Sequence, residues 1–207
     1  MRKEPHKSSD VRGDLCLPTI IQDELPEDQQ LNLKGTLILA DPAMRDPNFF
    51  RSVLILTEHS HEDGAHGYIL NRPLGKSVGD ILPSEAAPGI SNVPVFIGGP
   101  VGQEQLTFAA LNWNKAARSI EFKTHLSSEE ASKRLGNGEV IRAFVGYSGW
   151  GGGQLETELQ QRAWITSRIQ RNVLRKSKID RLWSDILRSM GPYYALLAET
   201  PDDPTLN

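Results

Sequence analysis

Residues 146–156 read Gly146-Tyr147-Ser148-Gly149-Trp150-Gly151-Gly152-Gly153-Gln154-Leu155-Glu156. The stretch leaves an apolar run, passes through a glycine cluster and continues into QLETELQQ, where Leu155 and Leu159 stand one helical turn apart. It predicts a strand that turns sharply into a short helix. Such a junction bares backbone N–H groups at a helix start, where a negative ligand group gains from the helix dipole. Trp150 offers an aromatic wall and Gln154 a hydrogen-bonding side chain to that ligand. The same residues have a plainer use, in which the glycines make a tight turn, Trp150 fills the core and Glu156 favours the first helical turn. Local pattern leaves both uses open.

Outward from this junction, VIRAFVG (140–146) reads as the strand that feeds it. Before it, SSEEASKRLGNG has a Ser127/Glu130 capping pair and a glycine stop at Gly136, so a helix crosses there. PVFIGG (94–99), QLTFAAL (105–111) and RSIEFKT (118–124) are strands joined by Gly, Pro and Asn turns, and GTLILA (35–40) and SVLILTE (52–58) are two more, separated by the loop DPAMRDPNFF. AHGYILN (65–71) follows the HEDG turn as the second arm of a hairpin and stops at Pro73. Ser77 with Asp80, Val78, Ile81 and Leu82 suggests a short capped helix ending before Pro83. After the junction, AWITSRI (163–169) is a further strand candidate. Ile179, Leu182, Trp183, Ile186, Leu187 and Met190 then fall at helical spacing, ending at Gly191-Pro192. Strand runs followed by mixed helices, with no tandem repeat, indicate an α+β domain. Residues 1–32 are charged and proline-bearing and read as an N-terminal extension, partly disordered or docked, and ETPDDPTLN closes the chain as a polar tail.

Composition narrows the function classes. The 207 residues are 38% hydrophobic, which suits a packed domain, and 23 Lys+Arg against 26 Asp+Glu give a net charge of −3. That balance provides no general attraction to phosphate backbones or anionic lipid. The single cysteine, Cys16, cannot close an internal disulfide, and no apolar run approaches the ~20 residues that span a bilayer. The opening MRKEPHKSSD lacks the apolar stretch of a signal peptide, so a cytoplasmic location is expected.

Other constellations are weaker. Gly146-x-Ser148 lacks the second glycine of a nucleophile elbow, since position 150 is Trp150, and no histidine follows Ser148. Gly75-Lys76-Ser77 lacks the leading glycine of a phosphate loop, because position 70 is Leu70. His59, His61 and His66, with Glu58, Glu62 and Asp63 nearby, have metal-ligand character, but charged and histidine residues collect at a polar hairpin tip without ligating anything, and no metal is expected. Arg72, in Asn71-Arg72-Pro73, is placed to clamp a carboxylate or phosphate, or else to pair with Glu156 or Glu158. Gly98-Gly99-Pro100-Val101-Gly102 permits close backbone approach by a ligand or by the chain itself. Arg162, Arg168, Arg171, Arg175, Lys176, Lys178, Arg181 and Arg188 make the segment around the last helix basic, yet no helix-turn-helix is recognisable.

In order along the chain, GTLILADPAMRDPNFFRSVLILTEH, Asn71-Arg72-Pro73, Gly98-Gly99-Pro100-Val101 and GYSGWGGGQLETEL followed by Trp164 resemble the YqgE/AlgH family of bacterial proteins, from about residue 35 to 191. The resemblance implies one domain over 33–198, a tail at 199–207, and a bifurcated mixed β-sheet with a small barrel-like part flanked by helices. It brings no agreed catalytic residues, cofactor or metal; some members carry the label of transcriptional regulator, which concerns exopolysaccharide synthesis. The expectation is a non-enzymatic ligand- or partner-binding protein with an indirect regulatory role, no membrane contact and no specific DNA reading. Its pocket would gather Asn71, Arg72, Pro73, Gly98, Gly99, Pro100, Tyr147, Gly149, Trp150, Gln154 and Glu156. The rival is a hydrolase or transferase using Glu156 or Glu158 with Arg72. A third reading makes these motifs architectural and places function on the basic last helix.

Overall fold

The structure is a computed structural model that describes residues 32–117, 119–167, 171–174 and 179–200. The extension through Leu31, the tail from residue 201, and Arg168, Arg175, Lys176 and Lys178 of the basic segment lie outside the described residues.

Among the described residues nine strands form one mixed sheet. In chain order they are β1 (Leu37–Ala40), β2 (Val53–Ser60), β3 (Gly64–Ile69), β4 (Pro73–Ser77), β5 (Pro94–Ile97), β6 (Val101–Asn114), β7 (Ser119–Leu126), β8 (Val140–Trp150) and β9 (Trp164–Ser167). Helix α1 (Ser128–Gly136) precedes β8, α2 (Gln154–Gln160) follows it, and α3 (Leu182–Ser189) and α4 (Pro192–Leu197) close the domain. No helix among the described residues is long and apolar enough to cross a membrane.

The sheet divides along β8. Its first half pairs in parallel with β5 (Val95↔Ala143 to Ile97↔Val145) and antiparallel with β6 (Leu111↔Val140 to Leu106↔Val145). Its last residues pair instead with β3, from Gly67↔Ser148 to Ala65↔Trp150, and lead into the path β3-β2-β1-β9. The N–H of Ile69 at the end of β3 also reaches the carbonyl of Gly98 just beyond β5, at 2.9 Å, which curls the two branches toward each other. The architecture is therefore α+β, with a bifurcated, curled sheet flanked by helices.

Alternation along β8 sends its apolar residues to two sides. Phe144 packs in the cluster that holds Trp183, Ile186 and Leu187 of α3, whereas Ile141 and Ala143 join Val95 and Ala131 of α1. A third cluster on the other branch holds Ile38, Leu54, Leu56, Trp150, Leu155 and Trp164. Each such large apolar side chain contributes roughly 1.5–3 kcal/mol through burial, which is why a side chain of another kind in these positions needs its own account.

Three elements differ from the sequence expectation. Pro73 does not simply stop a strand: β3 ends at Ile69, and Pro73 opens β4, pairing with Phe96. Proline is tolerated there because it is the first residue of a strand at the end of the sheet path. The helix expected after Ser77 shrinks to a single 3₁₀ turn, Val78–Asp80. There the Asp80 carboxylate accepts both the Ser77 N–H at 2.7 Å and the Ser77 hydroxyl at 2.8 Å. Helix α4 was not expected; Pro192 occupies its first turn, where a missing N–H costs nothing.

Candidate functional site

At the C-terminal end of β8 the side chains of α2 fold back over the turn that precedes them. Gln154 Oε1 accepts the Gly151 N–H at 3.0 Å, and Gln154 Nε2 donates to Glu158 Oε1 at 2.9 Å. Glu158 Oε2 accepts the indole N–H groups of Trp150 at 2.9 Å and Trp164 at 2.7 Å. Both indoles are buried, 7% and 4% exposed, and cross edge-on with centroids 5.8 Å apart. Phe49 adds a third ring, 5.3 Å from Trp164. A buried indole N–H without an acceptor is costly, so Glu158 serves the packing of the three rings and its carboxylate is taken up by three donors. Gly152 is required by the same closure: a Cβ there would lie 2.3 Å from the Glu62 carbonyl, so the β2–β3 hairpin tip rests directly on the glycine run.

Beside this knot opens a cleft of about 710 Å³. Asn32 and Lys34 before β1 form one rim, Glu58, His59 and Asp63 come from the β2–β3 hairpin, and Tyr147, Gly149 and Trp150 bring in the end of β8. His66 stacks on Tyr147, ring centroids 4.1 Å apart and 24° from parallel, and meets Tyr68 edge-on. Burial pulls the His66 pKa below its ordinary value; Glu58 opposes the shift and His125 adds to it. His66 is thus a neutral ring at neutral pH.

His59 stands at the back of the cleft with its side chain 2% exposed. Its Nδ1 accepts the Leu33 N–H at 3.3 Å, and its buried Nε2 lies 3.1 Å from Glu156 Oε1 without a hydrogen bond between them. The exposed His61 brings Nδ1 to 3.4 Å from the same oxygen. Glu156 therefore meets His61 through a long hydrogen bond and faces the unpartnered His59 Nε2 from the first turn of α2. Among the described residues no three His, Cys, Asp or Glu side chains converge to hold a metal ion.

The remaining candidates stand elsewhere. Asn71 accepts the Val53 N–H at 2.8 Å and donates to the Arg51 carbonyl at 2.9 Å. Arg72 donates to the carbonyls of Pro47 at 2.9 Å and Phe50 at 3.0 Å. Together they fasten the loop between β1 and β2. Burial lowers the Arg72 pKa, with Asp46 opposing, and its bonds run to backbone rather than to Glu156 or Glu158. The pairing weighed from the sequence is corrected accordingly. Gly98 receives the chain's own close approach: its N–H donates to Val145, its carbonyl accepts from the buried Ser148 hydroxyl at 3.2 Å, and a Cβ would lie 2.3 Å from the Gly146 carbonyl. Gly99 backs onto Tyr147, Pro100 is exposed, and Pro73 lines a separate, smaller cavity. Lys76-Ser77 ends β4 and begins no α-helix.

So Tyr147, Gly149 and Trp150 share the cleft, Glu156 touches it through His59, and Gln154 belongs to the knot. Asn32 and Lys34 of the cleft stood outside the sequence candidates, whereas Glu58, His59, Asp63 and His66 belong to the hairpin constellation weighed there for a metal or a polar tip rather than for this pocket.

A profile of the AlgH-like family, DUF179, matches residues 37–195. A UPF0301 protein of Streptomyces avermitilis is 37% identical over 193 residues, covering 85% of this chain and 96% of that protein. One of Chlorobium limicola is 34% identical over 183 residues, covering 84% and 95%. Two solved structures are similar in fold. A crystal structure of a Corynebacterium diphtheriae protein has a TM-score of 0.64 at 23% identity, covering 82% of this chain and 93% of that one. The solution structure of the AlgH protein from Pseudomonas aeruginosa has a TM-score of 0.59 at 24% identity, covering 88% and 100%. With the branched sheet and the GYSGWGGGQLETEL junction both accounted for, the match across nearly the whole described domain shows that the chain belongs to the AlgH-like family.

Proposed function

We propose that this chain is a cytoplasmic, non-enzymatic binding protein that holds a small polar ligand in the cleft between the β2–β3 hairpin and the end of β8. Any regulatory effect runs indirectly, through that ligand or a protein partner. The observation that carries the reading is the cleft itself. Its volume of about 710 Å³ suits a small metabolite. Its lining joins a stacked His66–Tyr147 pair to side chains of both charges, Lys34 on one rim and Glu58 and Asp63 on the other. A ring held neutral by burial offers one donor and one acceptor, which orients a ligand without demanding a charged one. A net charge of −3 and the want of a recognisable DNA-reading helix pair favour an indirect effect on regulation.

The rival hydrolase or transferase reading draws less support. Glu158 is engaged by three donors, Glu156 by His61, and Arg72 by two carbonyls. The test is a thermal-shift screen of the full chain against nucleotides and polar metabolites, with every hit repeated on Tyr147→Ala. A ligand present at about 100 times its Kd stabilises the native state by about 2.7 kcal/mol, a readily measured rise in Tm. The expected result is a hit whose shift vanishes in Tyr147→Ala. A hit that shifts the variant as much as the parent would place binding outside the cleft and overturn the reading.

A further inference from the structure

Strand β8 carries a cation where its alternation calls for a hydrophobe. Arg142 lies between Val140 and Phe144 on the side of the strand that faces α3, and is 2% exposed. Its Nη1 donates to the Leu70 carbonyl at 3.2 Å and its Nη2 to the Val173 carbonyl at 2.9 Å. The guanidinium carbon stands 4.8 Å from the centroid of the Phe96 ring. Two carbonyls and a ring face occupy two of five N–H donors and bring no negative charge. No carboxylate among the described residues pairs with it; burial alone acts on its pKa, which falls to about 10, so the group is charged at neutral pH. Proteins seldom bury a charge without an opposite one, because desolvation is then uncompensated.

A cavity of about 160 Å³ lies against Arg142. Its other described walls are Pro73, Pro94, Phe96, Val140, Ile141 and Ile179, all of carbon at the surface they present by residue type. With a water taking about 30 Å³, the space holds roughly five waters, or a molecule of about four to six heavy atoms. A sulfate or phosphate would set oxygens against those carbon walls, and a neutral alcohol would leave the guanidinium unpaired. A carboxylate head with a short alkyl tail satisfies both demands: the head pairs with the free Arg142 donors and the tail fills the apolar space.

We propose that Arg142 and this cavity form a second site, distinct from the cleft, that binds a short-chain aliphatic monocarboxylate. The experiment is an NMR titration of the full-length, isotope-labelled chain with sodium butyrate, at ionic strength held constant with chloride, taken to about 20 mM so that millimolar affinity is seen. Butyramide, of the same shape without the charge, is titrated in parallel. Amide signals of Phe96, Ile141 and Ile179 shift saturably with butyrate, with a Kd at least about tenfold below that for butyramide. Val140→Phe, which fills the cavity from its wall, weakens butyrate at least about tenfold. Arg142→Met keeps the cavity but removes the cation, and loses the preference for butyrate over butyramide even if the Phe variant fails to fold. The proposal is overturned if butyrate gives no saturable shift, if chloride alone gives the same shifts, if butyramide binds equally well, or if Arg142→Met retains the preference.

Discussion

The two halves of β8 treat buried polar groups in opposite ways. At its C-terminal end, Trp150, Gln154, Glu158 and Trp164 form a closed network in which the carboxylate receives three donors and both indoles are satisfied. In its N-terminal half, Arg142 is buried more deeply than the half-buried Glu158 or the exposed Gln154, with two carbonyls and a ring for company and no opposite charge among the described residues. The first region holds the most recognisable stretch of the sequence, yet its groups are spent on one another. The second lies in an ordinary-looking strand and keeps donors in reserve. A conspicuous motif therefore marks where the fold is fastened, and binding capacity is found where polar groups remain unsatisfied or face open space, as they do in the cleft beside the knot.

The largest effect is expected of Glu158→Ala. It strands two buried indole N–H groups, while the exposed Gln154 amide turns to water, and should cost on the order of 2–4 kcal/mol in urea-induced unfolding. A cost below about 1 kcal/mol would mean that the network is not the fastening it is taken for. Arg72→Ala releases the carbonyls of Pro47 and Phe50, and should cost about 1–3 kcal/mol while leaving ligand affinity in the cleft unchanged. Ten-fold weaker binding in that variant would restore Arg72 as a ligand clamp. Arg142→Met releases the buried Leu70 and Val173 carbonyls but also removes an uncompensated charge, and because the two effects oppose each other it should stay within about 1 kcal/mol of the parent. Such near-neutrality separates a residue kept for binding from one kept for stability.

The smallest effect concerns His66. Because its pKa is lowered in the fold, the unfolded chain takes up this proton first as pH falls through the ordinary value of 6.5. Stability should therefore decline as pH drops below that value, down to the lower pKa of the folded state, and His66→Gln should flatten that part of the pH profile. An unchanged slope would show that another group is responsible.

Much of the fold was legible because apolar runs such as LILA, VLILT and VIRAFV state their burial directly, and the Ser127 cap marks α1 as observed, its side chain accepting the Glu130 N–H at 3.1 Å. Strand β4 was not, since PLGKS carries little apolar residue content and is held by pairing with β5, a partner distant in sequence. Helix α4 spans only six residues after Gly191-Pro192, too few to display a period. The site was legible only in part. Tyr147, Gly149 and Trp150 reach the cleft from the junction, but Lys34, before β1, and Asp63, in the β2–β3 turn, join them only because β1, β2, β3 and β8 pair side by side, which local pattern does not encode. Asn71 and Arg72 looked like ligand groups because their partners are backbone carbonyls and amides, present in every sequence and visible in none.

The most direct test of the central claim follows the best hit of the ligand screen by amide chemical shifts in the parent chain and in Arg72→Ala. Saturable shifts are expected at residues 58–66 and 147–150, with a Kd that agrees between the two chains within about twofold, or about 0.4 kcal/mol. Shifts gathered at residues 47–51 and 71–73, lost in Arg72→Ala, would contradict that claim.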